Sequence, residues 1–227
     1  MTICIIPARA GSKRIKNKNI RIFNKKTFIQ RTIETAKKSK LFSRIIVSTD
    51  SKKIANLSLK YEAEVPFLRS SLLADDFAST AEVLKDCIKN LKIKDKFFFC
   101  IYPVNPLLKS SDLIKAFKKI KKFNQDSLIT VSEYDYSPYR AFKYCGHNNI
   151  KYIYPRYALA RSQDLPMISH DTGTFYIFRT KKFILSKKSL LKKTTFYKLD
   201  RFSFVDVNTP EDLKYAHFLY KFKKDKK

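Results

Sequence analysis

Four short runs, "TICIIP" (2–7), "RIIVST" (44–49), "FFFCIYP" (97–103) and "SLITVS" (127–132), limit the possible folds more than any other feature of the chain. A strand apolar at nearly every position has no solvent side, so runs of this kind sit in a sheet covered on both faces, which is the mark of a largely parallel sheet. A fifth run, "TFYIF" (174–178), reads as a further strand. Between the runs the spacing turns helical. Phe28, Ile29, Thr32, Ile33 and Ala36 share one helix face, and Val83, Leu84, Cys87, Ile88 and Leu91 share another. Ser79 and Glu82 have capping-box spacing, and Thr209, Pro210 and Asp212 begin a last helix in a similar way. The alternation predicts an α/β fold of βαβ units with right-handed crossovers: a three-layer, mainly parallel sheet with helices on both faces.

The 227 residues are enough for one principal domain with a sizeable core. No apolar stretch approaches the roughly 20 residues of a membrane span. "TICIIP" is too short for a signal-peptide core and has no basic segment before it, so a cytoplasmic protein is expected. Cys4, Cys87, Cys100 and Cys145 stand far apart without a C-x-x-C pair, which argues against a zinc site and against a disulfide framework. From Ser137 to Gly173 the sequence becomes aromatic and hairpin-like, a candidate lid or dimerisation arm inserted into a domain spanning 1–222. Residues 223–227 read as a frayed basic tail.

A net charge of +28 raises the possibility of a nucleic-acid-binding protein, because clustered cations release counterions from phosphates. The lysines are instead scattered along the whole chain, and no helix-turn-helix, zinc-finger or RNP-like motif accompanies them. That reading would require salt-dependent binding that survives loss of Arg9 and Asp206.

Glycine is informative because only Gly11, Gly146 and Gly173 occur. Gly11 follows the first strand, where open α/β sheets bind ligands and where backbone N–H groups can approach an anion closely. Arg9, Ser12, Lys13, Arg14 and Lys18 surround it with cations and donors suited to a polyphosphate. The stretch is neither a Walker A loop nor G-x-G-x-x-G. A surface turn made basic by overall composition is the competing reading.

The stretch "IIPARAGSKRIKNKN" resembles the nucleotide-binding opening of the CMP-sialic acid synthetase (acylneuraminate cytidylyltransferase) family, whose members activate nine-carbon acidic sugars. The likeness continues in register through "IIVSTDSKKIA", "AEVPFLRSSLLADDFAST", "CIYPVNPLL", "RSQDLP", "HDTGTFY" and "DVNTPED", from residue 3 to about 220. Within the family, "FLRSSLLADD", Tyr102 and "RYALARSQDLP…HDTG" most resemble the branch that uses pseudaminic acid. The resemblance implies a Rossmann-like nucleotidyltransferase with a small β-rich insertion. Its reaction would join CTP to a nonulosonic acid, giving a CMP-sugar for cell-surface or flagellar glycans and releasing diphosphate. Sialic acid, legionaminic acid and the eight-carbon KDO are the alternative sugars.

The resemblance also assigns roles. Arg9, Ser12, Lys18 and Asn19 fall on the triphosphate, with backbone amides of Ala8, Ala10 and Gly11 completing the cradle. Arg69 and Thr80 fall on the cytosine, and Tyr102 on the same crevice, although Thr80 could equally serve a helix cap and Tyr102 the core. Asp206 would hold Mg²⁺ where the family usually has two aspartates, and Asn208 replaces the second with a neutral oxygen. One metal is enough for such chemistry, since Mg²⁺ commonly takes one or two carboxylates plus substrate phosphates. Arg161, Gln163, Asp164, His170 and Asp171 fall on the sugar, with a buried structural His170–Asp171 pair as the other possibility. Relatives are usually homodimers. A metal-bound water, an aspartate such as Asp206, or no general base at all remain open, and the lack of G-x-S-x-G disfavours a serine hydrolase.

Overall fold

The computed structural model describes residues 2–12, 14–75, 78–186 and 192–225. In chain order these form β1 (Thr2–Pro7), β2 (Ile22–Phe23), β3 (Lys26–Thr27), α1 (Phe28–Ser39), β4 (Phe42–Ser48), α2 (Lys52–Lys60), α3 (Thr80–Asn90) and β5 (Phe97–Ile101). There follow α4 (Ser110–Lys122), β6 (Ser127–Glu133), β7 (Phe142–Tyr144), β8 (Ile150–Tyr152), β9 (Ser169–Arg179), α5 (Thr180–Leu185), β10 (Thr194–Lys198) and α6 (Pro210–Asp225). The central sheet has the order β10-β6-β9-β5-β1-β4. β1 runs parallel to β4 and β5, and β10 parallel to β6, whereas β9 is antiparallel to both its neighbours.

Because successive strand residues face opposite sides, each apolar run supplies two cores. Cys4, Ile6, Val47 and Phe99 meet Ile29 and Ile33 of α1 and Leu113 and Ile120 of α4. Ile3, Ile5, Ile46 and Phe98 face the other way, onto Leu84, Cys87 and Ile88 of α3 and Phe183 of α5. The predicted three layers are present. A third cluster sets Ala216 and Leu219 of α6 against Ile15, Phe23, Val205 and Val207. Burying an aliphatic side chain of this size contributes about 1.5–3 kcal/mol. The cluster therefore anchors two segments distant in sequence, the loop after β1 and the stretch before α6, to one another.

Local caps define where the helices begin. The Ser79 hydroxyl accepts from Glu82 N while Glu82 Oε2 accepts from Ser79 N at 2.7 Å, the expected capping box of α3. At α6, Thr209 Oγ1 accepts from Asp212 N at 3.2 Å and Asp212 Oδ2 accepts from the amides of Asn208 and Thr209 at 2.9 and 2.7 Å.

Two sequence expectations change. β9 starts at Ser169 and pairs with β6, so residues 169–173 belong to the sheet and the insertion ends before them. A bulge conceals this in the sequence: Ile129 pairs with Tyr176 but Val131 pairs with Asp171, and Gly173 takes φ +60° inside the kink. The buried Thr130 hydroxyl fills it, accepting from Thr172 Oγ1 at 2.8 Å and donating to Phe175 O at 2.9 Å. The insertion itself holds one antiparallel hairpin, β7–β8, with 3₁₀ turns at Pro138–Arg140, Pro155–Tyr157 and Ser162–Asp164. At the other end, Lys223, Lys224 and Asp225 continue α6, and residues 226–227 lie outside the described ones. Cys4, Cys87 and Cys100 are buried and Cys145 is exposed, all as free thiols. Among the described residues no helix is long and apolar enough to cross a membrane.

Candidate functional site

Where β1 and β5 end, a cavity of about 490 Å³ opens, and Arg9, Ser12, Lys18, Asn19, Arg69, Thr80, Tyr102 and Asn208 all line it. Seven of the ten positions assigned to the nucleotide thus meet here, while Ala8, Ala10 and Gly11 are not among the lining residues. Arg14 is also on the wall, and Lys13 lies outside the described residues.

The loop after β1 has little freedom. Ala8 N donates to Ser48 O at 2.9 Å, extending the ladder to β4, and Ala10 N donates to Asp50 Oδ1 at 2.8 Å. Arg9 O accepts from Asn19 Nδ2 at 2.8 Å, and Ser12 N returns to Ala10 O at 2.8 Å. The amides of Ala8 and Ala10, expected to form the anion cradle, are therefore engaged within the chain. A Cβ on Gly11 would meet nothing within 4 Å, so internal packing does not call for glycine there. Arg9 Nη1 donates to Asp75 O at 2.8 Å, linking the loop to the segment that precedes α3.

Lys18 joins the two ends of the sequence. Its Nζ donates to Val207 O at 2.6 Å and to Asn208 Oδ1 at 3.3 Å. Burial pushes its pKa below that of a solvated lysine, with Arg14 acting in the same direction and Asp206 and Asp212 opposing. Arg69 is buried, donating from Nη2 to Ser48 O at 2.6 Å, from Nε to Ser48 Oγ at 3.2 Å and from Nη1 to Leu73 O at 3.5 Å. Burial lowers its pKa too, and each terminal nitrogen retains a further N–H. Thr80 is the first residue of α3, one place after the capping Ser79, and its hydroxyl accepts from Tyr102 OH. Burial pushes the Tyr102 phenol upward, so it stays a neutral donor.

Asp206 lies beside this cavity, in an adjoining hollow of about 500 Å³ that it lines with Tyr134, His170 and Asp212. Asn208 Nδ2 donates to Asp206 Oδ2 at 2.6 Å, so the carboxylate and the amide are adjacent. Among the described residues no group of three or more His, Cys, Asp and Glu forms a ready cation cage. One carboxylate and one carbonyl oxygen fit Mg²⁺ only as a pair completed by phosphate oxygens and water.

The residues assigned to the sugar separate into two groups. Asp171 joins Thr80, Tyr102 and Tyr176 around a hollow of about 270 Å³, which shares two of its walls with the nucleotide cavity. Its carboxylate accepts from Tyr176 OH at 2.8 Å and from Gly173 N at 2.8 Å. His170 points to the opposite side of β9, near the rings of Tyr134 and Phe204 at 4.9 and 5.9 Å, so a buried His170–Asp171 side-chain pair does not form. Arg161, Gln163 and Asp164 are exposed on the insertion, with Arg161 Nε paired to Asp164 Oδ2 at 2.7 Å. Their neighbour Ser162 lines a hollow of about 800 Å³, which also includes Glu133, Tyr134, Asp135 and Tyr136. Those four residues recur around the Asp206 hollow, so the insertion borders the site.

Sequence reasoning gave no role to Asp50 or Tyr176. Asp50 ends the run "RIIVSTD", and the rule that ligands gather at carboxyl ends of parallel strands was enough to single it out. Tyr176 carried no such signal, because a tyrosine within "TFYIF" reads as core.

Residues 3–224 match the cytidylyltransferase family model. Over 224 residues, 96% of each chain, the sequence is 37% identical to the pseudaminic acid cytidylyltransferase of Campylobacter jejuni subsp. jejuni serotype O:2. It is 31% identical to the CMP-N,N'-diacetyllegionaminic acid synthase of Legionella pneumophila, over 92% of each chain. The fold is similar to that of a CMP:2-keto-3-deoxy-manno-octonic acid synthetase solved in complex with CTP, with a TM-score of 0.71 and 14% identity over 98% of this chain and 99% of that one.

Proposed function

This chain belongs to the cytidylyltransferase family, and we propose that it transfers CMP from CTP to pseudaminic acid, giving CMP-pseudaminic acid and diphosphate. The observation that carries the reading is the convergence of Arg9, Ser12, Lys18, Asn19, Arg69, Thr80 and Tyr102 on one cavity, with Asn208 brought to the same wall. In the reaction the anomeric hydroxyl oxygen bonds to the α-phosphorus as the bond from that phosphorus to the β-bridging oxygen breaks, and the hydroxyl proton leaves to solvent. Transfers of this type depend on alignment and charge stabilisation. Arg69 and Thr80 present donors to the O2 and N3 of cytosine. Arg9 and Lys18 hold the β- and γ-phosphates in line with the acceptor, and Lys18 exchanges its Val207 and Asn208 acceptors for phosphate oxygens. Asp206 with Asn208 would hold Mg²⁺, which when bound offsets charge on the departing diphosphate.

Asp171 and His170, on opposite faces of β9, act from the sheet side on the sugar, and Arg161, Gln163 and Asp164 from the insertion. Arg161 leaves Asp164 to pair with the sugar carboxylate. The exposed aromatic surface of the insertion, including Tyr144 and Phe142, supports a homodimer, which gel filtration tests. Cytoplasmic synthesis of an activated sugar for flagellar or cell-surface glycans is the matching context.

The purified protein should release diphosphate when given CTP, Mg²⁺ and pseudaminic acid, and release less with sialic, legionaminic or eight-carbon acids. Preferential turnover of one of those acids would move the assignment to that sugar. No release with any of them would refute the proposal.

A further inference from the structure

The peptide group between Arg9 and Ala10 is held at both ends by side chains from other parts of the fold. Its C=O accepts from Asn19 Nδ2 and its N–H donates to Asp50 Oδ1, both at 2.8 Å. Asp50 immediately follows Thr49, which is fully buried beyond the end of β4, and Asn19 is itself buried, so both holders are anchored to rigid parts of the molecule. Fixing one peptide plane fixes ψ of Arg9 and φ of Ala10. Those two angles decide where the Arg9 side chain departs and the direction in which the chain continues through Ala10 towards Gly11.

A half-buried carboxylate is a poor neighbour for a triphosphate by charge alone. Its position becomes intelligible if the acceptor oxygen, and not the charge, is what the site uses. We propose that Asp50 is a positioning residue for nucleotide binding: it clamps the Arg9–Ala10 peptide from the β4 side, as Asn19 does from the other, so that the cradle is ordered before CTP arrives. This assigns Asn19 to the backbone of the loop rather than to a phosphate. The inference rests on the cytidylyltransferase reading given above.

The test compares Asp50→Ala with Asp50→Asn in the whole protein, following CTP affinity by calorimetry, the split of KM and kcat, and the melting temperature. Asparagine keeps an acceptor oxygen in place and removes the charge. The clamp predicts that Asp50→Ala raises Kd and KM for CTP roughly 10- to 100-fold, the loss of one charge-assisted hydrogen bond, while Asp50→Asn stays within about threefold of wild type. Melting temperature should hardly move in either variant. If both variants lose affinity equally, the charge is what matters and the clamp is overturned. If Asp50→Ala binds CTP as wild type does, or if its defect merely follows a fall in melting temperature that Asp50→Asn shares, the clamp is overturned as well. Wild-type protein that ignores CTP overturns the reading beneath it, and the clamp with it, a result distinct from the other three.

Discussion

The nucleotide crevice and the insertion are built on opposite principles. In the crevice four of the polar side chains are tied to backbone: Arg9 to Asp75, Arg69 to Ser48 and Leu73, Lys18 to Val207, Asn19 to Arg9. In the insertion the charges pair with each other on the surface, as Arg161 does with Asp164, and large side chains such as Tyr144 and Leu159 stand more than nine-tenths exposed. A triphosphate and a base are the same in every turnover, so a rigid site at the strand ends can be prepared for them in advance. Sugar acids differ in their substituents, and the insertion proposed to meet them holds a single hairpin.

Substitutions can break this contrast. The largest effect is expected at Asp206: Asp206→Ala should cost a thousandfold or more in kcat, several kcal/mol of lost charge stabilisation, whereas Asn208→Asp keeps or raises turnover. A diphosphate-release assay reads both. Second, Lys18→Ala should reduce kcat/KM for CTP by roughly 100-fold, the range of a lost charge-assisted contact. The pH profile sharpens that prediction. Because burial lowers the Lys18 pKa, its proton leaves at a lower pH than from a solvated lysine, so activity falls on the alkaline side earlier than an ordinary lysine would allow. Lys18→Arg should move that limb upward.

Third, Arg69→Ala should raise KM for CTP by about tenfold or more and blunt the preference for CTP over UTP, since it removes a donor to the base. Some stability is lost with it, because the Ser48 and Leu73 carbonyls lose their partner in a buried setting. The smallest effect belongs to the insertion. Arg161→Ala should raise KM for the sugar by about tenfold and leave CTP affinity unchanged, and the exposed pair it breaks contributes under about 1 kcal/mol to stability. A matching loss of CTP affinity would show that the two regions are not separate.

The same contrast explains how much the sequence disclosed. Strands buried on both faces advertise themselves as apolar runs, so β1, β4, β5 and β6 were legible, as were the caps of α3 and α6. β10 was not, because as an edge strand it is half-exposed and "TTFYK" carries no apolar run. The first residues of β9 were hidden for another reason: "SHDTG" is polar, and it enters the sheet only because Thr130 and Thr172 satisfy each other's hydroxyls within the bulge. Arg9, Ser12, Lys18, Asn19, Arg69, Thr80 and Tyr102 line one cavity, held there by loops and a helix start that pack on the core. Asp50 stands where the strand-end rule could have singled it out, but its partner is a backbone amide, so residue types alone did not show what it does. The residues assigned to the sugar did not converge on one cavity, which is consistent with an insertion whose arrangement the core does not dictate.

Calorimetry of the wild-type protein with CTP and with UTP, each in the presence of Mg²⁺, is the most direct test of a prepared nucleotide crevice. The account predicts saturable CTP binding in the micromolar to millimolar range typical of enzyme substrates, without sugar present, and UTP binding weaker by about tenfold or more. No heat with CTP, or equal affinity for the two nucleotides, would contradict it.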